Sequence, residues 1–465
     1  MTHSGDESET HPSGASSNEP AGSGGGTASG SFPEVVKADG PAQPASADLS
    51  RLSRAALDLC AELATLTEVP GQTTRTYLCP SAAQVHTRLR AWADRLGMTT
   101  RLDAVGNLRS RLEGPPGAPT LYLGSHLDTV PNAGAYDGIL GVVLGYAAAE
   151  ALQAGGRPLP FSLEVLAFSE EEGVRYGVSF IGSRALVGTA ADLLDRLDKD
   201  GQSVRDAIRA FGLDETELPG ALAEANALGY LEVHIEQGPV LQDAGAAVGV
   251  VSSIVGQSRL TLDFAGQAAH AGTTPMALRR DPLAAAARFM VAAEDLARAT
   301  PGLVATVGMI EARPGAGNVI PGEVSLSLDI RHEFDAVRAE ALAALLDTAG
   351  REAAARGVTL AVTPRMAEPA TPMDAGLRAG LREAAAGLGL TAPELVSGAG
   401  HDAQILAARM PAAMLFVRSP NALSHHPDEM VQEADVQDAL RVGLRFLERL
   451  AHSLAERQVP DRGEA

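Results

Sequence analysis

Helical and extended hydrophobic patterns alternate along the chain from Asp48 onward. Where apolar residues recur every three to four positions, the spacing predicts helices, at 55–66, 82–96 and 138–154. Short apolar runs between them predict buried strands, at 120–124 and 162–168. Residues 99–112 predict a hairpin that turns near Gly106 and Asn107. Strands that alternate with helices in this way are typical of an open α/β sheet.

The strand pattern changes after about residue 248. Segments 259–264 and 324–331 alternate apolar and polar residues, as antiparallel strands with one exposed face do. Helices are predicted next to them at 281–298 and 336–356. The pattern of helices and buried strands that is typical of the first half then returns, with predicted elements at 377–388, 401–408, 412–417 and 432–454. The middle of the chain therefore predicts a separate domain inserted into the first.

The predicted fold class is α/β, with a mixed central sheet flanked by helices in the main domain. The inserted domain is predicted to be α+β, with a four-stranded antiparallel sheet and two helices. The predicted bounds are 48–249 with 364–456 for the main domain and 250–363 for the inserted domain. Residues 1–47 are rich in Ser, Gly, Pro and Glu and predict a disordered tail, and 457–465 predict a flexible C-terminus.

Composition narrows the function classes. A net charge of -21, without any basic block, argues against nucleic acid as a partner. No segment approaches the roughly 18 uncharged apolar residues of a membrane span, so a membrane partner is not expected. Two cysteines, Cys60 and Cys79, are too few for a disulfide framework, and the cytoplasm is the expected location.

Five short segments each place a residue that can bind metal at the end of an apolar run. They are His126-Leu127-Asp128, Tyr136-Asp137-Gly138, Glu170-Glu171-Glu172-Gly173, His234-Ile235-Glu236 and Ser424-His425-His426. Three imidazoles and two carboxylates form a mixed nitrogen and oxygen set suited to a pair of Zn²⁺ or similar divalent ions. A further glutamate is left to move protons, so the segments predict a hydrolase site.

Each segment also has an ordinary structural explanation. Side chains at i and i+2 of an extended segment point the same way, so Asp128 can orient His126, although such pairs also arise by chance. An aspartate before glycine is common in turns, and runs of glutamate are common on solvated surfaces. A strand histidine such as His234 is often structural. Of His425 and His426, one is expected to bind metal and the other not. The specific signal is the occurrence of all the segments in one chain.

At this point the chain resembles the zinc-dependent amidohydrolases of the M20 metallopeptidase superfamily that hydrolyse ureido groups. These are the allantoate amidohydrolases, N-carbamoyl-L-amino-acid hydrolases and β-ureidopropionases. Besides the segments above, the resemblance rests on His234-Ile235-Glu236-Gln237-Gly238-Pro239, His270-Ala271-Gly272-Thr273-Thr274-Pro275-Met276, Asn318-Val319-Ile320-Pro321-Gly322, Asp329-Ile330-Arg331 and Ser397-Gly398-Ala399-Gly400-His401-Asp402. It covers about 49–454. Related peptidases typically place a carboxylate where His234 stands, so the histidine favours ureido substrates over peptides.

The resemblance implies a centre with two divalent metal ions that share Asp137. The implied ligands are His126, Asp137 and His234 on one ion and Asp137, Glu172 and His425 on the other. The pattern Ser-His-x-Pro-x-Glu, aligned onto residues 424–429, selects His425 over His426. The ions would be Zn²⁺ or Mn²⁺, with Co²⁺ or Ni²⁺ as further candidates.

The implied catalytic residues are Glu171 and Asp128. Glu171 would be the general base that takes a proton from the attacking water and returns one to the departing nitrogen. Asp128 would orient His126. The two glutamates next to Gly173 are taken as the functional ones, so Glu170 receives no role.

The resemblance implies that Gln237, His270 and Asn318 bind the ureido and carboxylate oxygens of the substrate. Arg331 would clamp the substrate carboxylate, since a planar guanidinium suits that group, although an exposed arginine at a strand end is also an ordinary surface feature.

The expected reaction is hydrolysis of the ureido C–N bond of a small anionic substrate, with release of ammonia and CO₂. Allantoate is the first candidate substrate and an N-carbamoyl-L-amino acid the second. An M20 aminoacylase or dipeptidase, or a ligand-binding protein without catalysis, are the alternatives.

The resemblance also implies a homodimer formed through the inserted domain, which would act as a lid. Strand 324–328 is expected to leave a sheet edge with which a symmetric partner could pair. His270 is expected to reach the active site of the neighbouring chain.

Overall fold

The computed structural model describes residues 46–156 and 158–458. The predicted tail, 1–47, and C-terminus, 457–465, therefore lie outside the described residues, apart from two helical residues of each. The helices are α1 Ser46–Ala64, α2 Pro80–Arg95, α3 Ile139–Ala154, α4 Ile181–Val187, α5 Val204–Ala210, α6 Val240–Asp243, α7 Pro282–Ala299, α8 Asp335–Ala354, α9 Ala375–Gly387, α10 Asp402–Leu406 and α11 Glu433–Gln458. Each helix predicted from the hydrophobic pattern is present.

A large mixed sheet forms the main body. Its strands are β1 Thr99–Leu102, β2 Leu108–Leu112, β3 Thr120–His126, β4 Ser162–Phe168, β5 Ala227–Ile235, β6 Val248–Ile254, β14 Thr371–Pro372, β15 Glu394–Ser397 and β16 Ala412–Val417. Their order is β1-β2-β4-β3-β5-β16-β6-β14, and β15 also pairs with β6. The pairs β3-β4, β3-β5 and β5-β16 are parallel, and β1-β2, β2-β4 and β6-β16 are antiparallel. The predicted mixed sheet is confirmed.

Parallel pairing brings the carboxyl ends of four strands to one edge of this sheet. His126, at the end of β3, is in register with Phe168, at the end of β4. Ile235, at the end of β5, is in register with Val417, at the end of β16. Residues that follow these strands therefore converge at one edge, where open α/β sheets place their ligands.

Helices cover both faces of the large sheet, and α3 lies closest to it. A Cβ built on Gly141 of α3 would lie 2.0 Å from the carbonyl oxygen of Val233 in β5. Only glycine allows this approach. The glycine therefore allows α3 to pack tightly on the sheet.

A separate antiparallel sheet occupies the middle of the chain. Its strands are β7 Gly256–Ala265, β9 Val304–Thr306, β10 Ile310–Arg313, β12 Glu323–His332 and β13 Thr359–Glu368. The order β10-β12-β7-β13 gives the four strands expected, and the short β9 is a fifth that pairs with β12. Helices α7 and α8 pack on one face, which explains the alternating burial along β7 and β12. A two-stranded ribbon, β8 Ala269–His270 and β11 Val319–Ile320, lies apart from this sheet.

The predicted sheet edge at 324–328 is wrong. Strand β12 pairs with β7 along its whole length and with β10 and β9 on its other side. The edges are β13 on one side and β9 with β10 on the other. Alternation along a strand shows which face is buried, but it does not show whether the strand has one neighbour or two. The exact domain bounds stay a prediction.

None of the helices within the described ranges is long and apolar enough to span a membrane. Cys60 and Cys79 are free and buried. The cytoplasmic location stays a prediction.

Candidate metal centre

The candidate ligands lie at the edge where the parallel strands end. His126 is the last residue of β3, and His234 precedes the last residue of β5. Glu171 and Glu172 follow β4, and Asp137 lies just before α3. His425 lies in the loop after β16 with a left-handed backbone, φ 55°. The ligands therefore come from five segments that only the fold brings together.

The Asp137 carboxylate is central, because each of its oxygens faces a different group of ligands. Oδ1 lies 3.2 Å from Nε2 of His234 and 3.9 Å from Nε2 of His126. Oδ2 lies 3.3 Å from Nε2 of His425, which is itself 3.7 Å from Oε2 of Glu172. Within each group the ligand atoms lie within 4.8 Å of one another, close enough to hold a metal ion. These two groups have the same members as the two ligand sets that the resemblance implies, and their role as ligands stays a prediction.

The imidazoles have the orientation that metal binding requires. Nδ1 of His126 lies 3.0 Å from the carbonyl oxygen of Asp128, and Nδ1 of His234 lies 2.8 Å from that of Ile235. A carbonyl oxygen only accepts, so each Nδ1 carries a proton, and Nε2 is the nitrogen that faces the candidate site. The two Nε2 atoms are only 3.4 Å apart. Two imidazole nitrogens that converge in this way, each ring oriented by a main-chain carbonyl, fit the donor set of a metal ion.

Electrostatics also favour a cation here. Burial alone would raise the pKa of Asp137, but hydrogen bonding to His234 and His425 holds it well below its ordinary value. Burial, above all, raises the pKa of Glu171 well above its ordinary value and that of Glu172 to about 7. Crowded carboxylates that resist ionisation are stabilised by a divalent ion, which replaces the missing counter-charge.

Asp128 orients its neighbours differently from the expectation. Its carboxylate Oδ1 is 3.5 Å from Nδ1 of His126, whereas its main-chain carbonyl makes the closer contact. The carboxylate instead accepts hydrogen bonds from the amides of Glu171 and Glu172, at 3.0 and 3.1 Å. Asp128 therefore fixes the end of β3 and the glutamate turn relative to each other.

Gly138 supports the imidazole of His126. A Cβ at this position would lie 2.4 Å from Nε2 of His126, and the backbone φ is 67°. Both the close contact and the left-handed backbone require glycine. The glycine after Asp137 therefore has a packing role in the site, beyond ending a turn.

The three consecutive glutamates have different surroundings. Glu171 and Glu172 line a cavity of about 490 Å³ that also contains the two ligand groups. Glu170 is fully buried, and neither of its carboxylate oxygens has a hydrogen-bond partner among the described residues. This arrangement supports the choice of Glu171 and Glu172 as the functional pair.

Two of the four predicted substrate-binding residues line the same cavity. Gln237, with a φ of 58°, places Nε2 3.2 Å from Oδ2 of Asp137 and 3.0 Å from Oγ of Ser424. Arg331 reaches the cavity from β12. Its Nε and Nη2 each donate to Asp329 at 2.8 Å, and Nη1 donates to the carbonyl oxygen of Gly398.

His270 and Asn318 are not brought to this cavity. Both are exposed on the ribbon of β8 and β11, where the amide of Ala271 donates to the carbonyl oxygen of Asn318 at 3.0 Å. Nδ1 of His270 accepts from the amides of Gly272 and Thr273, so the ring proton lies on Nε2.

The sequence reading gave no role to Glu429, although the structure gives it a clear one. Its Oε1 accepts from the amides of Tyr136 and Asp137, at 2.9 and 3.0 Å, and the side chain is buried. Glu429 therefore fixes the loop that presents the shared ligand. The sequence contained a sign of this role, because the pattern Ser-His-x-Pro-x-Glu that selects His425 ends at Glu429.

His401 and Glu232 lie beneath His234 and were also missed. The ring of His401 is 4.5 Å from that of His234, centroid to centroid. Glu232 accepts from Oγ of Ser125 at 2.8 Å and from the amide of Ala403 at 2.9 Å. His401 also lines the cavity, whereas Glu232 packs behind His234 outside its lining.

Comparison with known proteins agrees with this geometry. The sequence profile of Peptidase family M20/M25/M40 matches residues 122–449. The chain belongs to this family. A probable allantoate deiminase from Oryza sativa subsp. japonica is 37% identical over 434 residues, covering 84% of this chain and 87% of the relative. An N-carbamoyl-L-amino-acid amidohydrolase from Paenarthrobacter aurescens is 39% identical over 404 residues, covering 82% and 94%.

A solved structure shows the same fold. The hydantoinase/carbamoylase family amidase from Burkholderia multivorans superposes with a TM-score of 0.81 at 32% identity, covering 86% of this chain and 98% of that one. The M20 membership and the α/β fold expected from the sequence are confirmed.

Replacement of Glu429 tests how the shared ligand is held. We expect Glu429→Ala to weaken divalent metal binding by about 10–100-fold, because the loop before Asp137 loses its acceptor. Metal titration followed by calorimetry measures the affinity, and circular dichroism checks the fold. Glu433→Ala, which removes a surface partner of Arg54, is the matched control. Unchanged metal affinity in Glu429→Ala would show that the loop does not depend on this carboxylate.

Proposed function

We propose that the protein is a di-metal amidohydrolase that cleaves the ureido C–N bond of a small carboxylate and releases ammonia and CO₂. The observation that carries this proposal is the Asp137 carboxylate, which faces two ligand groups inside a cavity that also contains Arg331. A centre for two divalent ions and a guanidinium in one cavity suit a substrate with a hydrolysable carbonyl at one end and a carboxylate at the other.

Allantoate is our first candidate substrate and an N-carbamoyl-L-amino acid the second. Both carry a ureido group and a carboxylate, so both fit the same chemical requirements. The relatives named for the two activities are similarly close, at 37% and 39% identity. The choice therefore needs a direct assay.

Glu171 is proposed to move the protons of the reaction. When bound, the two divalent ions would supply Lewis-acid activation of the ureido carbonyl. The Glu171 carboxylate faces the cavity and takes a proton from the attacking water, and it later delivers a proton to the departing nitrogen. Burial raises the pKa of Glu171, and a raised pKa allows a carboxyl group to hold a proton between the two steps.

Arg331 is proposed to bind the substrate carboxylate. Asp329 and Gly398 accept three of the five guanidinium N–H groups, and this leaves one N–H on each terminal nitrogen. Two parallel N–H groups in a fixed plane match the two oxygens of a carboxylate. Asp329 therefore orients the clamp before the substrate arrives.

We further propose a homodimer in which His270 and Asn318 act on the neighbouring active site. Both residues are exposed and lie outside the cavity of their own chain. Nε2 of His270 carries a proton that is free to donate to a substrate oxygen. A second chain that approaches the ribbon of β8 and β11 would make use of both residues.

The proposed reaction is tested with the purified protein and Mn²⁺ or Zn²⁺. Ammonia release is measured from allantoate, from N-carbamoyl-L-amino acids and from no-enzyme controls, and release of amino acids is measured from dipeptides. We expect ammonia from the ureido substrates and no hydrolysis of dipeptides. Hydrolysis of dipeptides alone would identify a peptidase, and metal binding without any turnover would favour a ligand-binding protein.

Conservative replacements within the glutamate run separate the proposed roles. We expect Glu171→Gln to lower turnover by ~10²–10⁴ with normal metal content, because the base is lost while the ligands remain. Glu172→Gln should lower metal content as well, and Glu170→Gln should retain both. Metal content by mass spectrometry and the rate of ammonia release are measured on the same samples. If Glu170→Gln lost turnover while Glu171→Gln kept normal turnover, the general base would be Glu170 and not Glu171.

Mixed dimers test the role of His270. His270→Ala and Glu171→Gln chains are each expected to be inactive, whereas a heterodimer of the two should recover part of the activity. One of its two sites would receive both intact residues. Differently tagged chains allow the heterodimer to be purified before assay. No recovery in a verified heterodimer would reject the contribution of His270 to the neighbouring site.

A further inference from the structure

A second large cavity lies apart from the metal centre. This groove beside α2 has a volume of about 1210 Å³, and none of its lining residues lines the cavity of the metal centre. Its wall includes one face of α2, the segment before α2 and residues between Asp198 and Phe211. A cavity of this size can hold a small organic molecule.

The groove wall contains a buried histidine without a partner. His86 is only 3% exposed, and neither ring nitrogen has a hydrogen-bond partner among the described residues. Burial, with a smaller contribution from Arg90, lowers the pKa of His86 to about 3, so the ring is neutral. A neutral imidazole has one donor and one acceptor, and buried polar groups in folded proteins rarely lack partners.

Arg90 lies one helical turn beyond His86 on the same face of α2. It forms no ion pair or hydrogen bond with any residue that the structure describes, and its Nε is buried. Arg88 on the same helix differs, because it pairs with Glu62 at the surface. In a chain with a net charge of -21, a half-buried guanidinium without a counter-ion is unusual.

The carboxylates that line the groove make their printed contacts with groups other than Arg90. Glu68 accepts from the amide and the hydroxyl of Thr76, at 2.7 and 2.8 Å. Asp198 accepts from Nε of Arg175 at 3.1 Å. At the rim, the exposed Lys199 and Asp200 add one charge of each sign. Carboxylates and cations therefore balance along the groove, and the half-buried Arg90 is a cation without a direct partner in the described part of the chain, next to a buried donor and acceptor.

The rest of the wall is largely apolar. Leu78, Ala83, Leu102, Val174 and Phe211 contribute to it. The Phe211 ring stands perpendicular to that of His86, with centroids 6.0 Å apart. A flat apolar group can pack against such side chains.

We propose that this groove is an effector site for a small carboxylate with a flat apolar body. Arg90 binds the carboxylate, His86 supplies a hydrogen bond, and the apolar wall takes the ring. The binding site does not depend on the proposed reaction, because it shares no lining residue with the metal cavity.

The groove also touches two of the segments that carry candidate metal ligands. Oγ1 of Thr74, in its wall, accepts from the amide of Asn132, in the loop that leads to Asp137. Val174, also in the wall, lies two residues after Glu172. A ligand that orders these wall residues therefore changes the positions available to Asp137 and Glu172.

Benzoate is a suitable probe, with benzamide as its uncharged analogue and inorganic phosphate as an anion without an apolar body. Calorimetry on the metal-loaded protein measures affinity. Fluorescence of Trp92, the single tryptophan of the chain, reports on α2 two residues beyond Arg90. We expect saturable benzoate binding with a change in Trp92 emission, and binding of benzamide and phosphate that is weaker by about tenfold or more.

Matched variants locate the site. Arg90→Gln should weaken benzoate binding by about tenfold or more, whereas Arg88→Gln, from the same helix, should bind like the wild type. Arg331→Lys should also retain the benzoate response, which excludes binding in the metal cavity. Melting curves check each variant, and Arg90→Lys, which keeps the charge, should bind between wild type and Arg90→Gln. Turnover of the wild type should change on benzoate saturation, and that of Arg90→Gln should not.

Three results would overturn the proposal. Absence of saturable benzoate binding would reject the site. Binding that survives in Arg90→Gln, or is lost in Arg331→Lys, would place the ligand elsewhere. Binding at the groove without any change in turnover would reject the effector role, whatever the natural substrate proves to be.

Discussion

The Asp137 carboxylate, with its two oxygens facing two ligand groups, is the interaction on which the site depends. Oδ1 faces His126 and His234, and Oδ2 faces His425 and Glu172. The fold supplies the conditions for this arrangement. Parallel strands bring the ligand segments to one edge, Glu429 holds the amide of Asp137, and glycine at 138 leaves room for the His126 ring.

The same edge concentrates buried negative charge. The buried carboxylates there are Asp128, Asp137, Glu170, Glu171, Glu232 and Asp402. An ionised carboxylate is costly to bury unless a cation or hydrogen bonds compensate. A bound divalent cation would reduce this cost, because it would add positive charge among these carboxylates. The protein therefore uses part of its folding stability to hold a site that is favourable only when metal binds.

The sequence predicted the bounds of helices and strands best where neighbouring residues in the chain alone determine them. Strands 162–168 and 412–417 have the predicted bounds, since each is an apolar run limited by residues that break a strand. The local pattern does not show which strands pair with each other. The strand at 324–328, predicted to be an edge, is therefore an interior strand of its sheet. Glu429 and the exposed position of His270 also depend on contacts between distant segments. The candidate metal ligands could be proposed from the sequence because their residue types are chemically specific, whereas the supporting residues use ordinary polar groups.

The most direct test of the shared carboxylate is a count of metal ions per chain against activity. Metal-free protein is titrated with Mn²⁺ or Zn²⁺, and bound metal and ammonia release are measured on the same samples. An Asp137 that bridges two ions predicts that activity reaches its plateau only when about two ions are bound per chain. Full activity with one tightly bound ion per chain would contradict the bridging role.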